Sequence, residues 1–288
     1  PGTGKTMLAR RLPGLLPPLS RDEALDVTQA FSVAGLLQPE APLVTTRPFR
    51  APHHSTSVAG LVGGGRIPQP GEVSLANHGV LFLDELLEFS RAACEALRQP
   101  LEDGEVTIVR AAGSARFPAR FTLVAAANPC PCGYLGDLRR ACRCNPADLY
   151  RYARRLSGPL LDRIDLYVQA ERVTAEELAS SLTGESTAAV QARVCRARAI
   201  QQARGAGNAQ LRAAELLHLC RPTASARRTL AAAVDRLGLT ARGFHRSLRV
   251  ARTIADLAGD DLVDDNHVRE ALSMRFVPLS PIDRSGAA

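Results

Sequence analysis

The sequence predicts an α/β fold, a three-layer sandwich around a parallel sheet, followed by a helical domain. A phosphate-binding motif, PGTGKT, occupies residues 1–6. A short apolar run at residues 80–83 ends in two acids, as buried parallel strands do near ligand sites. After Val168 the composition changes to alanine-rich segments with helical apolar spacing. We therefore expect two domains, at residues 1–171 and 172–288.

The opening residues match the second half of the phosphate-loop pattern G-x-x-x-x-G-K-S/T. In that pattern, backbone N–H groups and the start of the next helix surround a phosphate chain. The candidate nucleotide-binding residues are Gly2, Thr3, Gly4, Lys5 and Thr6. Lys5 is the only lysine of the chain, and a compact ammonium suits the space between two phosphates better than a planar guanidinium.

Residues 7–16 have the apolar spacing of the helix that follows such a loop. The first glycine of the loop pattern would precede Pro1. We therefore expect the sequence to begin inside a longer protein, without the first strand of the sheet.

The acids after the apolar run predict a hydrolytic site. Asp84 would hold Mg²⁺ together with Thr6, and Glu85 would polarise the attacking water. The next strand candidate ends at Asn128, whose side chain would contact both the γ-phosphate and the water. The alternative for Asn128 is a residue that only begins a turn before Pro129. Together these residues predict an ATP hydrolase that uses ATP and Mg²⁺.

Composition limits the class of protein. The net charge of +7 and the isoelectric point near 9.4 fit either a polyanionic partner such as nucleic acid or an arginine-biased surface. There is no uninterrupted apolar run long enough to span a membrane. Seven cysteines, four of them in one short cluster, are unlike an extracellular disulfide framework, so we expect a cytoplasmic protein.

The motifs PGTGKT, LFLDE and AANP occur in the order typical of AAA+ ATPases, and the chain resembles that class. Four longer stretches resemble the ComM/YifB family, a magnesium-chelatase-like branch: RPFRAPHHSTS, GEVSLANHGVLFLDEL, ANPCPCGY and SGPLLDRIDL. The resemblance extends from Pro1 to about Val277. It implies a hexameric, ATP-driven DNA helicase with a helical lid, which promotes branch migration in natural transformation. Family members carry an N-terminal Lon-protease-like domain, and we expect this sequence to be a fragment without it.

Arg163 lies in SGPLLDRIDL, before a predicted strand at residues 164–168. The resemblance implies an arginine finger, which reaches the γ-phosphate of the neighbouring subunit. The alternative is a surface salt bridge with Asp162 or Asp165.

A second functional arginine is expected from the lid. Arg242 lies at the start of a segment whose apolar residues, Phe244, Leu248, Val250, Ile254 and Leu257, predict a helix buried on one face. The resemblance places the sensor-2 arginine at this start. Arg246, one turn later, competes for this role, and a solvated helix face is the alternative for both. The sequence does not decide between them.

Two inserts flank the acidic strand. Residues 104–121 alternate like a β-hairpin and carry Arg110, Arg116 and Arg120. They resemble a pore hairpin whose arginines would contact DNA phosphates, and the alternative is packing against the next subunit. Residues 60–75, rich in glycine and proline, resemble a second pore-facing insert. No role follows from the residues for the basic stretch RPFRAPHH.

The cysteine cluster consists of Cys130, Cys132, Cys142 and Cys144. Four thiolates this close in a cytosolic chain suit a tetrahedral structural Zn²⁺. The C-x-C spacing is less typical than C-x-x-C, so free thiols or a redox pair are the alternatives.

Three other interpretations remain open on the sequence alone: the ATPase subunit of a metal chelatase, a nucleotide-gated chaperone, and an inactive remnant. For the C-terminal half, the sequence predicts helices that begin near Thr174, Ser186, Thr223, Thr240 and Asp264, and an unstructured tail after Leu279.

Overall fold

The structure is a computed structural model that describes residues 3–37, 42–111, 113–137, 140–170 and 184–275. It is a mixed α/β chain with a small parallel sheet and a helical C-terminal region, as predicted. The three-layer arrangement stays a prediction. The expected domain boundary after residue 171, the helix near Thr174 and the tail after Leu279 lie outside the described residues.

The N-terminal part alternates short helices and strands. In chain order its elements are α1 (Lys5–Arg11), a 3₁₀ turn (Leu12–Leu15), α2 (Arg21–Val33), β1 (Phe49–Arg50), α3 (Val58–Val62), β2 (Gly63–Gly64), β3 (Gln69–Pro70), α4 (Glu72–Leu75), β4 (Val80–Leu83), a 3₁₀ turn (Leu86–Glu88), α5 (Arg91–Ala96), α6 (Arg98–Asp103), β5 (Glu105–Arg110), β6 (Gly113–Pro118), β7 (Thr122–Ala125), α7 (Pro146–Ala153) and α8 (Gly158–Leu161).

The C-terminal part is helical. Its elements are α9 (Thr187–Ala203), a 3₁₀ turn (Asn208–Gln210), α10 (Leu216–Cys220), α11 (Ala224–Leu237), α12 (Ala241–Ala258) and α13 (Asp265–Ser273). Thr223, Thr240 and Asp264 cap the last three helices, each accepting a hydrogen bond from a backbone N–H of the first turn. The predicted starts of these helices are therefore confirmed.

The parallel sheet has the order β1–β4–β7, with β4 in the centre. Val80 of β4 lies opposite Phe49 on one side and Thr122 on the other. All four residues of β4 are buried, which explains its continuous apolar sequence. Because the strands are parallel, the residues after β4 and after β7 leave the sheet at the same edge.

Helix α1 packs on this sheet through Ala9, which contacts Phe82 and Ala126. The helix is shorter than the predicted 7–16, because Pro13 lacks the N–H that a continued α-helix needs and the chain changes to a 3₁₀ turn. Although α1 is short, its packing on the sheet places the phosphate-loop residues at the edge of the sheet.

The close approach of Pro48 to Gly79 fixes the start of β4. A Cβ atom at Gly79 would lie 2.1 Å from the Pro48 carbonyl oxygen, which itself accepts a hydrogen bond of 2.8 Å from Val80 N. We therefore expect Gly79→Ala to lower the free energy of unfolding by about 1–3 kcal/mol, the usual cost of overpacking. Thermal unfolding measures the change. Gly184→Ala is the control, because a Cβ there meets no atom within 4 Å; equal melting temperatures for the two variants would contradict the prediction.

The predicted hairpin is confirmed as β5 and β6, which pair from Glu105↔Pro118 to Arg110↔Gly113. Val106, Ile108 and Phe117 face the core. The opposite face and the tip are exposed.

The predicted strand at residues 164–168 is wrong. No strand forms there, and the backbone N–H of Tyr167 donates to the carbonyl of Met274, at 2.7 Å. The segment is thus bonded to the end of α13 and not to the sheet.

The buried face of α12 also differs from the apolar pattern. Leu257 is 46% exposed, whereas Arg252 and Asp256 are 1% and 2% exposed. Arg252 Nε donates to Asp256 Oδ1 at 3.0 Å, and Asn208 Nδ2 donates to Asp256 Oδ2 at 2.7 Å. These partners offset the desolvation of two buried charges.

Among the described residues, no helix combines the length and apolar content required to cross a bilayer.

Candidate functional site

An open cleft of about 370 Å³ lies at the edge of the sheet where the parallel strands end. It collects residues from three separate parts of the chain. Its lining residues are Thr3, Gly4, Lys5, Thr6, Met7, Asp84, Glu85, Ala126, Ala127 and Asn128. Thus the structure brings together the sequence-predicted candidates from the loop, the acidic strand and the next strand. Gly2 lies outside the described residues.

The loop residues enter the cleft at the start of α1. Gly4 adopts a left-handed conformation, with φ of 71°, which favours glycine because a side chain would be strained there. The Lys5 ammonium lies 3.4 Å from Thr3 Oγ1 and 3.4 Å from Asn128 Oδ1. The Lys5 ammonium therefore lies between the loop and the end of β7, where it can bind an anionic ligand.

Thr6 and Asp84 meet although they are far apart in sequence. Thr6 Oγ1 donates a hydrogen bond of 2.6 Å to Asp84 Oδ2. A hydroxyl and a carboxylate oxygen are the ligand types that Mg²⁺ prefers beside substrate phosphates. The Thr6 hydroxyl and the Asp84 carboxylate therefore fit the predicted magnesium site.

Glu85 has a strained backbone, with φ of 51°, and its N–H donates to Asp84 Oδ1 at 3.0 Å. Its side chain is 56% exposed, and the residue lines the cleft. His54 Nδ1 lies 3.7 Å from Glu85 Oε2. The sequence did not indicate this neighbour, because His54 belongs to the stretch RPFRAPHH for which no role was derived.

The two arginines of that stretch have structural contacts. Arg47 donates to the carbonyls of Pro17 and His78, at 2.5 and 2.6 Å. Arg50 makes two hydrogen bonds to the Glu72 carboxylate, at 2.6 and 2.7 Å. Such bidentate pairs fix orientation as well as distance. Arg47 and Arg50 therefore hold the strand β1 region in place.

Arg163 and Arg242 do not line the cleft. Both contact the Glu102 carboxylate, Arg163 through a short hydrogen bond to Oε2 and Arg242 Nη2 at 3.4 Å from Oε1. The hydrogen bond from Arg163 lowers the pKa of the Glu102 carboxyl below its ordinary value. The alternative partners Asp162 and Asp165 are thus not the ones that Arg163 uses. Sequence reasoning missed Glu102, which has no motif of its own.

Arg246 has a different environment from Arg242. It donates to the carbonyl of Asp162 and lies 3.5 Å from the Asp165 carboxylate. Only 18% of its side chain is exposed, against 67% for Arg242. Burial lowers the pKa of the Arg246 guanidinium below its ordinary value. The contacts of Arg246 are internal, so of these two arginines Arg242 has the more accessible guanidinium.

The four clustered cysteines form a compact group in which all sulfur atoms lie within 4.8 Å of one another. Hydrogen bonds from the backbone N–H groups of Arg143 and Tyr134 lower the pKa of the Cys132 thiol to about 6, whereas burial and the neighbouring cysteine sulfurs raise the pKa of the Cys142 and Cys144 thiols above the ordinary value. Thiolate is the metal-binding form of cysteine. The cluster therefore offers four soft ligands to one ion.

The arginines of the β5–β6 hairpin are exposed. Arg116 is 69% exposed and lies 3.4 Å from the Glu105 carboxylate. Arg110 bonds only its neighbour's carbonyl, that of Val109, among the described residues. The hairpin thus presents positive charge to solvent.

Comparison with known proteins gives two family matches. Residues 1–178 match the family described as magnesium chelatase, subunit ChlI, and residues 184–275 match its C-terminal family. The chain is 52% identical over 281 residues to an uncharacterised protein of Mycobacterium tuberculosis. It is 48% identical over 280 residues to the competence protein ComM of Haemophilus influenzae and 45% identical over 280 residues to the uncharacterised protein YifB of Escherichia coli.

These three matches cover 96% of the chain but 54–55% of each relative. The chain therefore spans about half the length of the curated relatives that it matches.

Proposed function

Because the chain belongs to the ComM/YifB family of magnesium-chelatase-like ATPases, we propose that it is the motor region of a ring-forming, ATP-dependent DNA helicase that promotes branch migration in natural transformation. The observation that carries the proposal is the single cleft shared by Lys5, Thr6, Asp84, Glu85 and Asn128. Phosphate binding, metal binding and water activation require those chemical groups within reach of one substrate.

In this proposal the residues of the cleft have separate roles. Lys5 binds the β- and γ-phosphates, and Thr6 and Asp84 hold Mg²⁺, which when bound neutralises developing phosphate charge. Glu85 accepts a proton from the attacking water. Asn128, 3.4 Å from the Lys5 ammonium, orients the γ-phosphate.

We infer that Arg163 and Arg242 act on the nucleotide of a neighbouring subunit in a hexameric ring. Both lie away from the cleft of their own chain, and both meet at Glu102. The Arg163 Nε is buried without a hydrogen-bond partner among the described residues, and a buried N–H without an acceptor is unfavourable. Only 10% of the Arg163 side chain is exposed, so in this proposal the guanidinium leaves Glu102 when it takes up a phosphate oxygen of the neighbour.

DNA is the partner that the exposed arginines of the hairpin favour, together with the net charge of +7. Phosphate contacts by arginine make binding depend on salt, because each contact releases counterions. A peptide or a porphyrin partner does not require such a basic hairpin.

The double substitution Arg110→Ala with Arg116→Ala tests that assignment. We expect weaker DNA binding. The slope of log Kd plotted against log salt concentration should be smaller by about 0.9 for each duplex phosphate contact that is lost. Fluorescence anisotropy over a salt series measures both. Arg196→Ala, an exposed arginine of α9, is the control. A double variant with the wild-type slope would show that the hairpin does not contact DNA.

ATP turnover of the complete protein, measured without DNA and with forked or four-way DNA, tests the function itself. Stimulation by branched DNA, with strand displacement, is the expected result. Turnover that responds to unfolded peptides and to no form of DNA would favour the chaperone alternative.

We further propose that Cys130, Cys132, Cys142 and Cys144 bind a structural Zn²⁺. Tetrahedral coordination with zinc–sulfur bonds near 2.3 Å separates neighbouring sulfurs by about 3.8 Å. Three of the observed sulfur–sulfur distances are 3.4, 3.6 and 3.7 Å. The cluster begins two residues after Asn128, so a closed metal loop would hold the end of β7 in place.

Metal analysis tests the zinc proposal. We expect about one zinc per chain, and a lower melting temperature when a strong chelator removes it. Cys132→Ser should lose the metal, whereas Cys195→Ser, outside the cluster, should keep it. Protein that contains no zinc and whose stability is unaffected by chelators would contradict the assignment.

A further inference from the structure

We infer that Glu102 is a positioning residue for the ATP site of the neighbouring subunit: its carboxylate holds Arg163 and Arg242 together and releases them to the γ-phosphate. Glu102 lies near the end of α6 and outside the ATP cleft of its own chain. The inference rests on the function proposed above, in which both arginines act across a subunit interface. The contacts that hold the two arginines are contacts of the chain itself.

The Glu102 carboxylate binds each arginine through a different oxygen. Oε2 accepts the short hydrogen bond from Arg163, and Oε1 lies 3.4 Å from Arg242 Nη2. Arg163 follows α8, whereas Arg242 lies in the first turn of α12. Among the described residues, neither arginine is paired with another acidic side chain. One carboxylate therefore fixes the two guanidiniums relative to each other, where the helical part meets the part that contains the parallel sheet.

The charges of this group are unequal. Two guanidiniums share one carboxylate, so one positive charge has no ionic partner within the group. The hydrogen bond from Arg163 lowers the pKa of the Glu102 carboxyl below its ordinary value, and the carboxylate therefore stays ionised at neutral pH. The Glu102 side chain is 50% exposed. A half-exposed carboxylate beside an excess of positive charge can be exchanged for a more highly charged anion from outside.

A phosphate and a carboxylate are alternative partners for the same guanidinium, because both accept two parallel hydrogen bonds from it. The γ-phosphate of ATP carries more negative charge than one carboxylate, so ATP in the neighbouring cleft displaces Glu102 from the arginines. ADP lacks this group, and Glu102 binds the arginines again after hydrolysis. Arg163, which is largely buried, thus has an anionic partner in both states, and this avoids the cost of a buried unpaired charge.

Glu102→Gln in the complete protein tests the inference through the affinity of the ring for ATP. The amide keeps the size of the side chain but not its charge, so it competes weakly with phosphate. With a non-hydrolysable ATP analogue, we expect the Kd to fall by about fivefold or more, the usual lower size of a coupling between sites. Calorimetric titration measures this Kd. Damage to the packing around α6 would raise the Kd instead.

A second set of variants shows whether the effect passes through the arginines. In a protein that lacks both, Arg163→Ala with Arg242→Ala, adding Glu102→Gln should leave the Kd unchanged, because no guanidinium remains to be released. Glu185→Gln is the matched control and should keep the wild-type Kd. The Glu185 carboxylate is 57% exposed and accepts hydrogen bonds of 2.6 and 2.9 Å from Arg193, outside the ATP cleft.

The outcomes separate the inference from the function on which it rests. A Glu102→Gln protein whose Kd equals or exceeds the wild-type value overturns the inference, as does an equal decrease in the protein without the two arginines. Glu102→Asp, whose carboxylate is one methylene farther from the arginines, should show a smaller decrease and provides the same test if the glutamine variant does not fold. The interface roles themselves fail if removing both arginines leaves ATP affinity and turnover of the ring unchanged, and the inference then fails with them.

Discussion

Glu85→Gln is expected to lower ATP turnover by about two orders of magnitude or more while ATP still binds. The amide keeps the size and polarity of the side chain but cannot accept a proton from water. Binding should persist because Lys5, Thr6 and Asp84, which contact the phosphates and the metal in our proposal, are unchanged. Steady-state turnover and calorimetric titration with ATP measure the two quantities separately.

The control for this prediction is Glu88→Gln, three residues away. The Glu88 carboxylate is 43% exposed and accepts a hydrogen bond of 2.6 Å from Arg155, outside the cleft. Turnover in this control should stay close to wild type. Equal losses in the two variants, or a loss of ATP affinity in Glu85→Gln, would remove Glu85 from the role of general base.

Arg163→Ala is expected to lower turnover by about 10³-fold, the lower end of the range for arginine fingers. A role of Arg163 across the subunit interface should be detectable when Arg163→Ala protein is mixed with Glu85→Gln protein. A ring that contains both Arg163→Ala and Glu85→Gln subunits has some interfaces where an intact Glu85 faces an intact Arg163 from the neighbour. Mixing the two inactive proteins should therefore restore part of the activity.

Arg154→Ala is the control for the loss of one arginine charge, because the Arg154 guanidinium contacts only the Tyr150 side chain in the part of the chain that the structure describes. It should keep its turnover. If the mixture of Arg163→Ala and Glu85→Gln stays inactive, although the two proteins form mixed rings, Arg163 does not act across the interface.

Several features followed from the sequence because they depend on short spacings. The order of PGTGKT, LFLDE and AANP placed Lys5, Asp84, Glu85 and Asn128 at one edge of a parallel sheet, and the structure brings them into one cleft. The alternating residues of 104–121 predicted the hairpin, and two C-x-C pairs predicted that four sulfur atoms would converge. Local geometry and strand direction are sufficient for each of these conclusions.

Other predictions failed where local pattern competed with packing. The apolar residues 164–168 were expected to form a strand, but Tyr167 bonds to Met274 at the far end of the helical region. On α12 the apolar pattern placed Leu257 inside, whereas Arg252 and Asp256 are buried because partners from other elements satisfy their charges. A helical periodicity does not reveal such partners.

The sequence by itself determined the family, the phosphate loop, the acidic strand and the cysteine cluster, since each depends on residues that lie close together along the chain. Only the tertiary structure decided that Glu102 joins Arg163 to Arg242 and that His54 lies beside Glu85. These contacts join residues that are distant along the chain, so they exist only after the sheet, inserts and lid have packed against one another.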